Sequence, residues 1–367
     1  MGPKRIIIVI SSLGSGGAER NAALLASSWA DRGDSVFLLT TFLSESEDDF
    51  YTLSSSVNRI RLSQKIEVNK RSIYFNLQRA KVFRRIIKLI NPDVVVSFMD
   101  HVNVLTLLCL SGTKIPVVAL ERSNPFRQQL GLLTEWSRPF TYRWLAFSVC
   151  CQTERVAYRL KSEWGLNAVV LPNPLNPVFF TRTHNYEQRS ELILSVGRMT
   201  SEKGHELLLR SWARLAMSYP FWTLRLVGDG EDRSRLEMLS NKLQISDQVE
   251  FVGRVNEIVE EYQRAQIFVL PSLYEGFPNA LLEAMALGCA CIASDCESGP
   301  REMIRHRENG LLCEPGDIED LISALKILLD NSSLRSRLSH EAKNIREQYS
   351  LKRHLKVWDE QIFSSLR

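Results

Sequence analysis

Short apolar runs rich in β-branched residues recur along the chain, with amphipathic stretches of helical period between them. In the first half this pattern predicts strands over 5–10, 36–40, 94–98, 117–120 and 147–151, with helices over 18–32 and 77–90. The second half repeats it, with strands over 192–196, 224–227, 249–252, 267–270 and 290–293. Uninterrupted apolar strands alternating with helices require a parallel sheet covered on both faces. The expectation is therefore an α/β chain of two doubly wound domains, and 367 residues exceed what one core serves. Between the halves runs Leu171-Pro172-Asn173-Pro174-Leu175-Asn176-Pro177. Its three prolines forbid helix and central strand and mark a linker. Beyond Asp317 the chain reads as helical, ending in a helix over 351–363. Ligands of such sheets bind at the carboxyl ends of the strands, so the loops after strands are where chemistry is sought.

Composition narrows the class. A hydrophobic fraction of 44% and a charged fraction of 24% are those of an ordinary globular protein. The net charge of +4 is too weak to argue for nucleic acid. Seven cysteines, without framework spacing or a His-rich tract, suggest reduced thiols in a cytoplasmic setting and no zinc site. The apolar start Ile6–Ile10 is too short for a signal sequence, and no run reaches the length of a membrane span.

Five loops carry candidate chemistry. After the first strand, Ser12-Leu13-Gly14-Ser15-Gly16-Gly17-Ala18-Glu19-Arg20 offers backbone N–H groups to a phosphate or sugar, yet is neither a Walker A loop nor a dinucleotide fingerprint. After 192–196, Gly197-Arg198 and Lys203-Gly204 supply a planar fork and a point charge suited to a diphosphate. Gly228 and Gly253-Arg254 follow the next two strands, and Asp229 with Asp232 lacks the Asp-x-Asp form of a metal-held diphosphate. After 267–270, Glu275-Gly276-Phe277-Pro278-Asn279-Ala280-Leu281-Leu282-Glu283 leads into a helix that Pro278 should open and Gly288 should close. That places Glu275 just ahead of the helix and Glu283 about a turn inside it. Each feature also has a plain reading: glycines for turn chemistry, solvated cations at loop ends, glutamates favouring the positive end of a helix.

Taken together, these motifs resemble the signature of glycosyltransferase family 4: a Glu, seven residues, then a Glu, opened by Glu-Gly-Phe-Pro. The Gly-Gly-Ala-Glu-Arg loop and the Gly-Arg-x-x-x-x-Lys-Gly spacing are similar to that family too. The resemblance covers nearly the whole chain and is most specific over 195–288. It implies a GT-B fold, two doubly wound Rossmann-like domains facing each other across a cleft: 1–175 for the acceptor, 176–345 for the nucleotide-sugar, and 346–367 as a helix returning to the first. It implies substrate contacts from Gly16, Gly17, Glu275, Gly276, Phe277, Pro278, Asn279 and Ala280. Nucleotide contacts fall to Arg198, Lys203, Gly228, Gly253, Arg254, Leu281 and Glu283, with Arg198 and Lys203 as the diphosphate clamp. Family members retain the anomeric configuration; Glu275, the one evident candidate nucleophile, is a sugar-hydroxyl ligand in the family, which favours a same-face mechanism. Fixed cations stabilising the departing diphosphate need no metal or other cofactor. The chain departs from the pattern where many relatives carry a His: here stands Glu121-Arg122-Ser123. Arg122 can stabilise charge but cannot serve as a neutral base, so His101 and Asp100 at the end of the preceding strand are rivals for that role.

From Arg61 to Lys88 lie nine basic residues against the single acid Glu67, on a stretch with an apolar side. This fits a helix resting on anionic headgroups as well as a packed helix with a solvated face. The expectation is a peripheral cytoplasmic enzyme moving a hexose or N-acetylhexosamine, with UDP as the carrier, to a glycan or polyprenyl-linked acceptor of surface polysaccharide. A sugar-nucleotide epimerase and a non-catalytic sugar-nucleotide-binding protein are the alternatives.

Overall fold

A computed structural model describes residues 2–14, 16–41, 49–62, 73–127, 131–180 and 189–366. Of the loop after the first strand, Ser15 lies outside these, as do Lys65, Glu67, Lys70 and Arg71 of the basic stretch. The chain divides into two compact units, 1–173 with 355–367, and 174–354. The divisions fall inside the proline-rich linker and within the final helical segment.

The first unit runs β1 (Arg5–Ile10), α1 (Gly17–Asp31), β2 (Ser35–Thr40), β3 (Asn58–Arg61), α2 (Ile73–Ile90), β4 (Val94–Phe98), α3 (Asp100–Leu110), β5 (Val117–Leu120), α4 (Leu132–Leu145), β6 (Ser148–Cys151), α5 (Glu154–Trp164) and β7 (Val169–Val170). Its sheet is parallel throughout, in the order β3-β2-β1-β4-β5-β6-β7. The isoleucine run of β1 feeds both faces, as a period of two requires. Ile6, Ile8 and Ile10 pack against α1, and Ile7 and Val9 lie on the side covered by α2, α3, α4 and α5.

The second unit runs β8 (Ser190–Val196), α6 (His205–Ala213), β9 (Thr223–Val227), α7 (Arg233–Lys242), β10 (Val249–Gly253), α8 (Ile258–Arg264), β11 (Ala265–Leu270), α9 (Asn279–Ala286), β12 (Ala290–Ser294), α10 (Pro300–Met303), β13 (Leu311–Cys313), α11 (Ile318–Asp330), α12 (Ser332–Ala342) and α13 (Ile345–Gln348). The sheet order is β10-β9-β8-β11-β12-β13, again all parallel. In both sheets the order reverses beside the first strand, β1/β4 and β8/β11, which is the switch point where ligands of open α/β sheets bind.

Every strand the pattern predicts is present, and three more are added. β3 carries two arginines, and β7 and β13 have two and three residues. Too short or too polar to show as apolar runs, they sit at or near sheet edges. The expected terminal helix is instead α14 (Leu351–Val357), a π turn over Trp358–Ile362 and a 3-10 turn over Phe363–Ser365. The wider turn lets Trp358, Ile362 and Phe363 all bury in the first unit.

Candidate functional site

In the second unit the strand-end loops converge at the β8/β11 switch point. The loop after β8 ends in a 3-10 turn, Ser201–Lys203, closed by Gly204 at φ +67°. Gly204 presses so closely on the carbonyl of Pro271 that a Cβ would collide with it. Leu273 N–H then donates to the carbonyl of Glu202 at 2.8 Å, locking the loop after β8 to the loop after β11.

That lock brings Lys203 Nζ to 2.7 Å from Glu275 Oε1, across 72 residues of chain. Ser272 Oγ donates to the same oxygen at 2.7 Å, and Ser298 Oγ, from the loop after β12, donates to the Glu275 carbonyl at 2.8 Å. Glu275 is buried. A cation and a carboxylate, both held at strand ends, can grip a ligand that is anionic at one end and rich in hydroxyls at the other. Arg198 is more exposed and donates to Glu202 at 3.3 Å, while Tyr274 donates from the other side to the second Glu202 oxygen at 3.2 Å. Arg198 and Lys203 thus face different carboxylates of the same locked loops.

Pro278 is the residue just before α9, not within its first turn. Glu283, in the second turn, is buried and accepts a hydrogen bond from Tyr262 at 3.0 Å. Phe277 packs its ring on Tyr349 at 5.8 Å, and Leu281 is wholly buried. Both side chains are spent on the core that holds α9 in place. Gly276, Asn279 and Ala280 are half-buried at the helix start. Gly288 at φ +73° ends the helix as expected from its sequence.

Gly228, at φ +136°, leaves no room for a Cβ against the Gly197 carbonyl, and its N–H donates to the Gly253 carbonyl at 2.8 Å. The loops after β8, β9 and β10 are therefore stacked by backbone contact, with Arg254 exposed just beyond. Below them His205 opens α6 almost wholly buried, its Nε2 beside Gly197. Burial pushes the imidazole down to about 4, with Lys203's charge adding to the effect against the Arg198 carbonyl.

The first unit gathers a second polar group at the ends of β4 and β5. Gly16 caps α1 and Gly17 begins it; the Gly16 carbonyl accepts from Arg20 N–H at 3.0 Å and Tyr51 Oη at 3.2 Å. Met99, a non-glycine residue at φ +75°, joins β4 to α3. That costly backbone turns Asp100 inward and leaves His101 half-buried beside it. Asp100 Oδ1 accepts from the His101 backbone at 2.6 Å and meets His101 Nδ1 at 2.8 Å. Burial alone raises the Asp100 carboxyl; the hydrogen bonds from His101 and the charges of His101 and Arg138 outweigh it and leave it lowered. Arg138 Nη1 lies 3.9 Å from both Asp100 and Glu121. Glu121, fully buried and raised by that burial, accepts from the Tyr142 hydroxyl. Arg122 points elsewhere: it stacks over Phe98 at 5.0 Å and donates to Asn173 at 2.9 Å and to the Leu171 carbonyl at 3.4 Å. Burial lowers its guanidinium to about 10.

Sequence reasoning missed Ser272, Ser298 and Tyr262, and the Glu121–Tyr142–Arg138 group. Ser272 stands three residues before Glu275 in the same loop, a signal that was there to be read. Ser298, Tyr262 and Arg138 belong to no motif, and only packing brings them in. All seven cysteines are buried and free, with no disulfide.

Two parallel doubly wound sheets, the second with a cation–carboxylate pair at its switch point, set the class of fold, and similarity to known families says which class of enzyme uses it. A family model described as Glycosyltransferase Family 4 matches residues 15–179, and one described as Glycosyl transferases group 1 matches 180–345. The chain belongs to the family 4 glycosyltransferases, of GT-B fold. An uncharacterized glycosyltransferase of Haemophilus influenzae is 28% identical over 97% of this chain and 99% of its own length. A Campylobacter jejuni enzyme is 27% identical over 96% of this chain and 97% of its own. It is the GalNAc-alpha-(1->4)-GalNAc-alpha-(1->3)-diNAcBac-PP-undecaprenol alpha-1,4-N-acetyl-D-galactosaminyltransferase. Among solved structures, Anabaena Alr3699/HepE in complex with UDP superposes with a TM-score of 0.78 at 16% identity, over 98% of this chain and all of that one. That likeness is one of fold.

Proposed function

We propose that this glycosyltransferase moves a hexose or N-acetylhexosamine from a UDP-sugar to a glycan or polyprenyl-linked acceptor in bacterial surface polysaccharide assembly, with retention of anomeric configuration. One observation carries the donor side of the reading: Lys203 and Glu275 meet at 2.7 Å at the switch point of the second sheet. Breaking the anomeric C–O bond places charge on the leaving diphosphate, and a fixed ammonium there lowers the barrier. Glu275, held by Ser272, grips sugar hydroxyls, and Glu283, anchored by Tyr262, accepts from the ribose. Arg198 joins Lys203 on the phosphates once Glu202 releases it. No step in this scheme calls on a metal.

On the acceptor side, His101 held by Asp100 is the group that meets the incoming hydroxyl, because Arg122 is engaged with Asn173. Gly16 and Gly17, at the start of α1, offer backbone to the same acceptor. The lipid-linked acceptor is supported by the Campylobacter relative, whose name carries a diphospho-undecaprenol, and UDP by the nucleotide in the Anabaena complex.

Incubating the protein with labelled UDP-sugars and a polyprenyl-diphosphate-linked glycan, with and without EDTA, tests the reading. Transfer with retained configuration in both conditions is expected. Epimerised or free sugar without acceptor elongation, binding without turnover, or rescue by a divalent ion after EDTA would each overturn part of it.

A further inference from the structure

We propose that the outer side of α4, together with the solvent-facing side of α2 that lies beyond α3 on the same face of the sheet, docks on the headgroup region of an anionic lipid bilayer. Trp136, Phe140 and Trp144 recur at every fourth residue of α4, and are 77%, 62% and 71% exposed. The first two rings stack, with centroids 6.1 Å apart. The opposite side of the helix is committed to the fold: Arg138, Thr141 and Tyr142 are buried. Three large rings aligned in water over about 12 Å of helix form an apolar stripe that a soluble monomer has no reason to keep.

What covers the stripe follows from the charge on the same face of the unit. Arg143 lies on α4 with its guanidinium 5.9 Å from the Trp144 ring. α2 and α3 pack on the same face of the sheet as α4. Phe83 and Ile87 of α2 point inward, Arg84 is tied to the Cys109 and Ser111 carbonyls, and Lys81, Arg85 and Lys88 face solvent. Aromatic bodies with polar edges, sharing one face of the sheet with a row of long cations beyond α3, suit the boundary between acyl chains and anionic headgroups. A second copy of this face would oppose like charges, and a single sugar ring needs one aromatic platform, not a stripe of three.

The inference deepens the reading of a lipid-linked acceptor and rests on it, since a surface-held enzyme meets such a substrate by diffusion in two dimensions. The test is sedimentation of the full chain with vesicles of equal parts phosphatidylglycerol and phosphatidylethanolamine, against phosphatidylcholine alone, without donor or acceptor. Binding to the anionic vesicles with a blue shift of tryptophan emission is expected. The combined variant Trp136→Ser, Phe140→Ser, Trp144→Ser should bind at least tenfold more weakly. Lys81→Glu, Arg85→Glu, Lys88→Glu should lose about a hundredfold or more, at roughly 1 kcal/mol per cation. Both variants should keep transfer to a short-chain, water-soluble acceptor, which shows that they fold. Equal binding by either variant, equal binding to phosphatidylcholine, or an α4-dependent dimer without vesicle binding would overturn the proposal. Vesicle binding by an enzyme that elongates no lipid-linked acceptor would leave the surface standing and sink the functional reading instead.

Discussion

At the scale of single residues, the two glutamates of the signature sit in different company. Glu275 shares Lys203 and Ser272, and Glu283 faces Tyr262. Their substitutions should therefore separate. Lys203→Ala removes the ammonium we propose for the leaving group, so kcat should fall by about two to three orders of magnitude. Glu283→Ala should instead weaken UDP binding by about ten- to a hundredfold, with a smaller effect on kcat, since a hydrogen bond to a charged group is worth about 1.5–3 kcal/mol. Steady-state kinetics alongside calorimetric UDP titration distinguishes them; a near-normal kcat for Lys203→Ala would remove it from the diphosphate site. His205 makes a prediction in pH. Its ordinary value of 6.5 falls to about 4 on burial, so the unfolded chain binds the extra proton first. Stability should be complete above pH 6.5 and decline as pH drops toward 4, by about 3 kcal/mol in all. Urea denaturation across that range should show the slope, and His205→Gln should flatten it.

At the scale of elements, the switch-point loops depend on backbone that only glycine fits. Gly204 is left-handed and pressed on the Pro271 carbonyl, so Gly204→Ala meets both a φ penalty and a collision. The variant should lower Tm and UDP affinity together, because the same turn carries Lys203; thermal shift with and without UDP reads both. The strands and the α9 helix were legible in the sequence because buried parallel strands are continuous apolar runs and the helix announces itself with Pro278 and Gly288. β3, β7 and β13 were not, since two to four residues carry no period. Nor did the basic character of 61–90 reveal how its cations divide, with Arg84 turned to backbone carbonyls and Lys81, Arg85 and Lys88 to solvent. Side-chain direction there depends on α3, a neighbour in space.

At the scale of the whole molecule, the last thirteen residues belong to the first unit. Trp29 of α1 meets Trp358 edge-on at 5.0 Å and Phe363 at 5.5 Å, and all three are fully buried. The first core is thus finished by the end of the chain, after the entire second unit has been made. Trp358→Ala should cost about 3–5 kcal/mol in the first unit. Two-phase urea unfolding, with the earlier phase moved by this variant and the UDP-stabilised phase unmoved, is the expected result; a uniform shift of both would contradict it.

The order of apolar runs and breakers along the chain was enough to define the class of fold, the number of units and where the strand-end loops fall, because burial on two faces and turn formation are properties of neighbouring residues. The spacing from Glu275 to Glu283 was likewise local, and so could carry a family resemblance. Partnership was not local. That Lys203 reaches Glu275 rather than Arg198 doing so, that Arg122 is spent on Asn173 while Asp100 holds His101, and that α4 keeps a row of aromatics in solvent are outcomes of which strand ends become neighbours. Only the order of strands within each sheet, and what packs on it, decides those distances.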